Sequence, residues 1–139
     1  MNTLTLFSFL CVDLFVYTAL FMYIFRRKKR IGIQLGMNIS QAAGGFSALL
    51  AGLMLVIAFP FHFTLVTITA AALGILLGAL FGLLFDYQAF LAGVINGFIT
   101  GLMAPMLGSV IDMPGQLIWF IHAVFFACLL LVMISIQRS

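Results

Sequence analysis

Asp13 is the residue whose type and position most strongly suggest chemistry. It stands near the middle of a long apolar run, and Tyr17 follows four residues later, on the same face of a helix. A carboxylate at the centre of a membrane-spanning helix costs ~3 kcal/mol or more, so such a residue is a functional candidate. Three roles are open: a protonated carboxyl that joins helices, a group that handles protons or ions, or a salt-bridge partner for another subunit.

His122 is predicted to lie at a depth similar to that of Asp13. At ~1.5 Å per residue, Cys11, Met103 and Met106 fall at comparable depths below the same membrane boundary. Thiolate, thioether and imidazole ligands suit Cu(I) or zinc, so Cys11, Met103, Met106 and His122 are weak candidates for a metal site. Because Cys11 and Asp13 point about 200° apart on a helix, a hydrogen bond between Asp13 and His122 is the stronger expectation.

A second polar group stands in the fourth apolar segment. Asn96, Thr100 and Met103 share one helical face, and Pro105 follows in the same segment. Pro105 removes a backbone donor and frees the carbonyl of Gly101. The segment then either bends to line a polar cavity or has a kink filled by a neighbouring helix. For Asn96, a hydrogen bond between helices is expected more strongly than a role in a pore.

Enzyme motifs are absent from the sequence. It contains no HExxH, GxSxG, P-loop or GxGxxG, no CxxC, and no polar segment long enough for a water-soluble catalytic domain. We therefore predict that the protein is not an enzyme and that it requires no cofactor.

The composition predicts an integral membrane protein. Hydrophobic residues make up 65% of the 139 residues and charged residues only 6%, whereas soluble domains carry about 25% charged residues. Runs of about 20 apolar residues separated by charge, proline and glycine predict an all-α bundle of about five transmembrane helices in a single domain, 1–139. The predicted spans are 3–25, 36–59, 64–85, 90–111 and 116–136.

Basic residues predict the orientation of the chain. Five of the six lie in one run within a predicted linker, 26–35, which the positive-inside tendency places in the cytoplasm. The N-terminus is then outside and the C-terminus cytoplasmic. The run is also a candidate site for anionic lipids rather than for nucleic acid. Its members are Arg26, Arg27, Lys28, Lys29 and Arg30.

Small residues recur every fourth position in three consecutive segments. This spacing predicts glycine-zipper packing, because small residues let helix backbones approach closely. The candidate packing residues are Gly44, Gly52, Gly74, Gly78, Gly82, Gly93, Gly97 and Gly101. Three such faces exceed the obvious needs of one bundle and favour a homo-oligomer. Short loops predict that the second to fifth helices are consecutive antiparallel neighbours, and a faint similarity between the second and fourth segments is consistent with a duplicated hairpin.

Three classes of function remain. The first is permeation or transport of an ion or small solute by a small oligomer, with Asp13, Tyr17, Asn96, Thr100, Pro105 and His122 as polar candidates. The second is an accessory or assembly subunit of a larger membrane complex, which docks through the glycine stripes and Asp13. Intramembrane handling of a soft metal ranks third.

Overall fold

Five long helices form the fold. The computed structural model describes residues 3–112 and 114–138, and within them the prediction of an all-helical fold is confirmed. Each helix is long and apolar enough to cross a membrane. Every bound lies within three residues of its predicted position. The helices are α1 (Thr3–Arg27), α2 (Ile33–Ala58), α3 (Phe63–Leu83), α4 (Tyr87–Val110) and α5 (Pro114–Arg138), with a short 3₁₀ turn at Lys28–Arg30.

The link between α1 and α2 is shorter than the predicted linker, 26–35. Arg26 and Arg27 belong to the last turn of α1. At the start of α2, the carbonyl of Gly32 accepts a hydrogen bond from the Gly36 amide at 2.9 Å. The start of α4 is likewise earlier than predicted. There the Asp86 side chain accepts a hydrogen bond from the Tyr87 amide at 2.7 Å, which satisfies one of the donors left free at a helix N-terminus.

Helices α2, α3 and α4 form the core, and their backbones lie close together along their length. The closest approach is between α3 and α4, where Gly74 lies against Gly97 and Gly78 against Gly93. A Cβ atom added to Gly74 would lie 2.5 Å from the Gly97 carbonyl oxygen, and one added to Gly93 would lie equally close to the Gly78 carbonyl oxygen. No side chain fits at this crossing, which explains why glycines occupy the contact faces of both α3 and α4.

Helix α2 fits its own small residues against the same crossing. A Cβ atom on Gly44 would lie 2.7 Å from the Gly93 carbonyl oxygen, and one on Gly52 would lie 2.6 Å from the Ala104 Cβ. Between these levels Ala48 contacts Gly74. The three small-residue faces therefore pack against one another within a single chain, and all eight predicted packing glycines are buried.

Helices α1 and α5 add an outer layer that contacts the core mainly through side chains. Phe125 of α5 packs against Tyr17 of α1 and Phe46 of α2, with ring centroids 5.5 and 5.2 Å apart. Phe81 of α3 completes the cluster by contacting Tyr17 and Phe21 of α1. Aromatic rings provide a large apolar area, so this cluster attaches both outer helices to the core.

The prediction that α4 and α5 are antiparallel neighbours is wrong. Helix α5 packs against α2, and extensive backbone contact with α4 is lacking among the described residues. The physical reason is that the small-residue face of α4 already packs against α2 and α3, whereas the aromatic rings of α5 pack beside α1. The two hairpins of the suggested duplication are accordingly packed differently.

Candidate functional site

Asp13 and His122 meet between α1 and α5. The His122 Nε2 lies 3.1 Å from Asp13 Oδ1 and 3.3 Å from Oδ2. Both residues are almost completely buried, with 5% of Asp13 and 4% of His122 exposed. The hydrogen bond that their similar depths favoured is therefore present, although 109 positions separate the two residues in sequence.

The hydrogen-bond partners of the imidazole set how many protons this pair holds. His122 Nδ1 is 2.8 Å from the carbonyl oxygen of Ile118. Since a carbonyl only accepts, Nδ1 carries a proton and donates it. The contact between Nε2 and the carboxyl group then requires one further proton between them. The pair is either imidazolium with carboxylate or imidazole with carboxylic acid, and both forms are neutral overall.

Aromatic rings cover one side of the pair. Phe9 of α1 lies 4.6 Å from the His122 ring, measured between centroids. Trp119, one turn before His122 on α5, meets Phe9 edge-on at 5.0 Å. These rings surround the polar atoms with apolar surface on that side, which strengthens the interaction within the pair because the local dielectric constant is low.

On the other side Asp13 borders a small cavity between α1, α2 and α3. The cavity has a volume of about 80 Å³, and Tyr17 and Ser47 also line it. This volume is enough for more than one water molecule. The Tyr17 hydroxyl donates to the carbonyl of Ala43 at 3.3 Å, so Tyr17 joins α1 to α2 beside the carboxyl group. Ser47 was missed in the sequence because it looks like one more small residue of α2.

Asn96 and Thr100 lie elsewhere, in an open groove between α2 and α4. Asn96 Nδ2 donates to the backbone carbonyl of Gln41 at 2.7 Å, which is the interhelical bond expected of it. Gly45 makes room for this amide, because a Cβ there would lie 2.6 Å from Asn96 Nδ2. The groove of about 380 Å³ is lined by Asn38, Gln41, Ala42, Gly45, Phe46, Leu49, Asn96 and Thr100.

Two residues of the groove escaped the sequence interpretation. Asn38 and Gln41 stand near the start of the second apolar segment, where polar residues have a simple explanation, but α2 begins at Ile33 and continues through both of them. Their spacing of three places them on one helical face, and this spacing was the available signal. Pro105 is not part of the groove: it is fully buried inside a continuous α4, close to Gly52.

The candidate metal ligands are not brought together. Cys11 is exposed on α1, and Met103 and Met106 on α4 are 63% and 60% exposed. His122 faces Asp13 instead. Among the residues that the structure describes, no group of three or more histidine, cysteine or acidic residues could hold a metal ion.

The basic run forms an exposed cluster at the end of α1. Arg27 stacks over the Tyr23 ring at 4.9 Å, and Lys28 Nζ lies 4.7 Å from the centroid of Phe25. These cation–π contacts fix two cations next to apolar rings at the end of the apolar helix.

Comparison with known proteins assigns no function, so the geometry described above is the basis for the functional proposal. No family model matches the chain, and neither a curated protein nor a solved structure matches it significantly. Two polar sites of the apolar helical bundle are therefore the candidates for function: the buried pair Asp13–His122 and the open groove between α2 and α4.

Proposed function

We propose that this chain is a multi-pass membrane protein that mediates permeation or transport of an ion or small solute, acting as a small oligomer. The five apolar helices span the bilayer, with the N-terminus outside and the basic cluster in the cytoplasm, where it contacts anionic lipid headgroups. Large apolar side chains such as Phe15, Leu65 and Val110 are exposed around the bundle and face lipid. The glycine zipper of α2, α3 and α4 serves as the rigid scaffold.

The buried pair Asp13–His122 is the observation that carries this proposal. Ionisable groups inside a membrane are expensive and mark ion pathways and proton relays. The pair holds one proton between Nε2 and the carboxyl group, and moving it from oxygen to nitrogen leaves the net charge unchanged. Release of this proton into the cavity beside Tyr17 leaves the pair with one negative charge, and uptake of another proton restores the neutral pair, so that one proton is passed on in each cycle. We assign proton exchange during permeation to this pair.

The accessory-subunit alternative is weakened by the position of its expected docking surfaces. It relied on the glycine stripes and Asp13, but the glycines are buried in contacts between α2, α3 and α4. Asp13 is occupied by His122. A partner subunit would need another surface, so permeation is the function that this arrangement favours.

Proton flux into liposomes tests the proposal. Purified protein would be reconstituted into vesicles that contain a pH dye, with a potassium diffusion potential as the driving force. Asp13→Asn is the informative variant, because an asparagine amide can donate to His122 Nε2 and keep the contact, while the exchangeable carboxyl proton is lost. We expect flux in the unmodified protein and a loss of at least tenfold in Asp13→Asn.

Asp112→Asn is the matched control, because Asp112 is an exposed acid outside the helices, and its flux should equal that of the unmodified protein. Equal flux in Asp13→Asn would assign the pair a purely structural role. A complete lack of proton or solute flux in the unmodified protein would contradict the proposed function.

A further inference from the structure

The groove between α2 and α4 places polar side chains on the outer surface at the middle of the bundle. Gln41 lies eight residues into α2 and Asn96 nine residues into α4, which is ~12 and ~14 Å from the ends of these helices. Their shared hydrogen bond fixes them at the same level. Such a depth lies within the hydrocarbon region of a bilayer, whose core is ~30 Å thick.

The groove retains unused hydrogen-bonding groups. Within the part of the chain that the structure describes, the side chains of Asn38, Gln41 and Thr100 make no hydrogen bond. Elsewhere on the outer surface, Thr67 and Thr69 donate their hydroxyl groups to the carbonyl four residues earlier, at 2.8 Å. A membrane-facing threonine can therefore satisfy itself, and Thr100 does not. Unsatisfied polar groups are costly in hydrocarbon, so the groove is expected to be covered.

The chemistry of the groove indicates what covers it. Its polar side chains are uncharged amides and a hydroxyl group, and a primary amide both donates and accepts. Identical amides can thus pair with one another. A second copy in the same membrane offers the same groups at the same depth, and a two-fold axis parallel to the helices places Gln41 of each copy opposite Asn96 of the other.

We propose that the groove of Asn38, Gln41, Asn96 and Thr100 is the surface through which two copies of this chain associate. This inference rests on the membrane insertion and self-assembly contained in the proposed function. It also identifies a surface other than the glycine stripes, because those stripes are consumed inside each chain.

Cysteine cross-linking in liposomes tests the location of this interface. In a background with Cys11→Ser and Cys128→Ser, Thr100→Cys places a thiol in the groove. Phe98→Cys is the control, since Phe98 is exposed at nearly the same depth but points about 160° away on α4. We expect oxidation to give at least fivefold more disulfide-linked dimer for Thr100→Cys. Equal yields, or more dimer for Phe98→Cys, would overturn the proposal.

Gln41→Leu provides a second test that does not threaten the fold, because only the backbone of Gln41 is bonded within the chain. Resonance energy transfer between labelled copies, followed as the vesicles are diluted with lipid, should show at least tenfold weaker association for Gln41→Leu. Unchanged association, a monomeric unmodified protein, or a stoichiometric complex with a different protein at this groove would each contradict the inference. Cross-linking at Thr100 in a protein that gives no flux would uphold the interface and reject the permeation function.

Discussion

The crossing of α3 and α4 and the contact of α1 with α5 are built in opposite ways. At the crossing, backbone meets backbone, and the atoms in contact belong to glycines such as Gly74 and Gly97. Between α1 and α5 the contact is made by side chains, with Asp13 against His122 and Phe9 against Trp119. The burial differs in the same direction: 39% and 28% of the apolar stretches of α3 and α4 are buried, compared with 17% and 22% for those of α1 and α5.

This difference assigns the rigid packing and the ionisable groups to different parts of the molecule. A backbone crossing admits no rotamer change, so its geometry is fixed as long as the helices exist. The side-chain layer contains the buried ionisable pair and a cavity, and its contacts can change when a proton moves. The molecule therefore combines a scaffold whose glycine crossing holds no ionisable group with an outer layer that carries the ionisable pair.

Gly97→Leu is the most severe test of the scaffold. The new side chain would collide with the backbone carbonyl of Gly74, which cannot rotate away, so the helices must separate. We expect a loss of more than ~3 kcal/mol in the free energy of unfolding, at or beyond the upper end for overpacking. Denaturant titration in bicelles, followed by circular dichroism, measures it. Gly32→Leu is the control, because a Cβ on Gly32 meets nothing within 4 Å. Comparable losses of stability in both variants would show that close backbone packing at the crossing is not the cause of the loss.

The next largest effect is expected at the contact of α1 with α5. Asp13→Leu removes the partner of His122 Nε2, and a buried polar atom without a partner costs ~1–3 kcal/mol. Asp13→Asn should cost less than half as much, since its amide can still donate to Nε2. The same titration compares the two variants. If both destabilise the protein equally, packing rather than the hydrogen bond holds α1 in place.

The sequence was sufficient to predict the helices and the identity of the packing residues. The apolar runs end at Pro60, at Asp86 and at the basic cluster, and these residues stop helices for local reasons that sequence displays. Glycines at every fourth position also indicate locally that one face of a helix can approach another backbone closely, as the crossing of α3 and α4 illustrates.

Which helices pack against each other could not be predicted, because this depends on how each helix is rotated about its axis. The pairing of α5 with α2 rather than α4 follows from which faces remain free after α2, α3 and α4 have packed. Depth along the helices places Asp13 and His122 at one level, but it places Met103 there as well, and Met103 is exposed on another helix. The groove was missed because Gln41 stands near the start of α2, where a polar residue has a simpler explanation.

The smallest predicted change in stability comes from Tyr17→Phe. Its hydroxyl bond to Ala43 is long at 3.3 Å, and the ring contacts with Phe81 and Phe125 are retained, so we expect a loss of at most ~0.5 kcal/mol. Because the hydroxyl lies beside the cavity at Asp13, proton flux in liposomes should nevertheless fall several-fold. Ser40→Ala provides the opposite case, since it removes a buried 2.6 Å bond to the Ala89 carbonyl within the core.

Ser40→Ala should therefore cost ~1 kcal/mol and leave flux per folded protein unchanged. The two variants together test the division into layers: Tyr17→Phe is expected to lower proton flux with little loss of stability, and Ser40→Ala is expected to lower stability with no change in flux. If Tyr17→Phe left flux intact, or if Ser40→Ala reduced flux as strongly as Tyr17→Phe, the division between scaffold and chemical layer would fail. Parallel flux and unfolding measurements on the same vesicle and bicelle preparations decide between these outcomes.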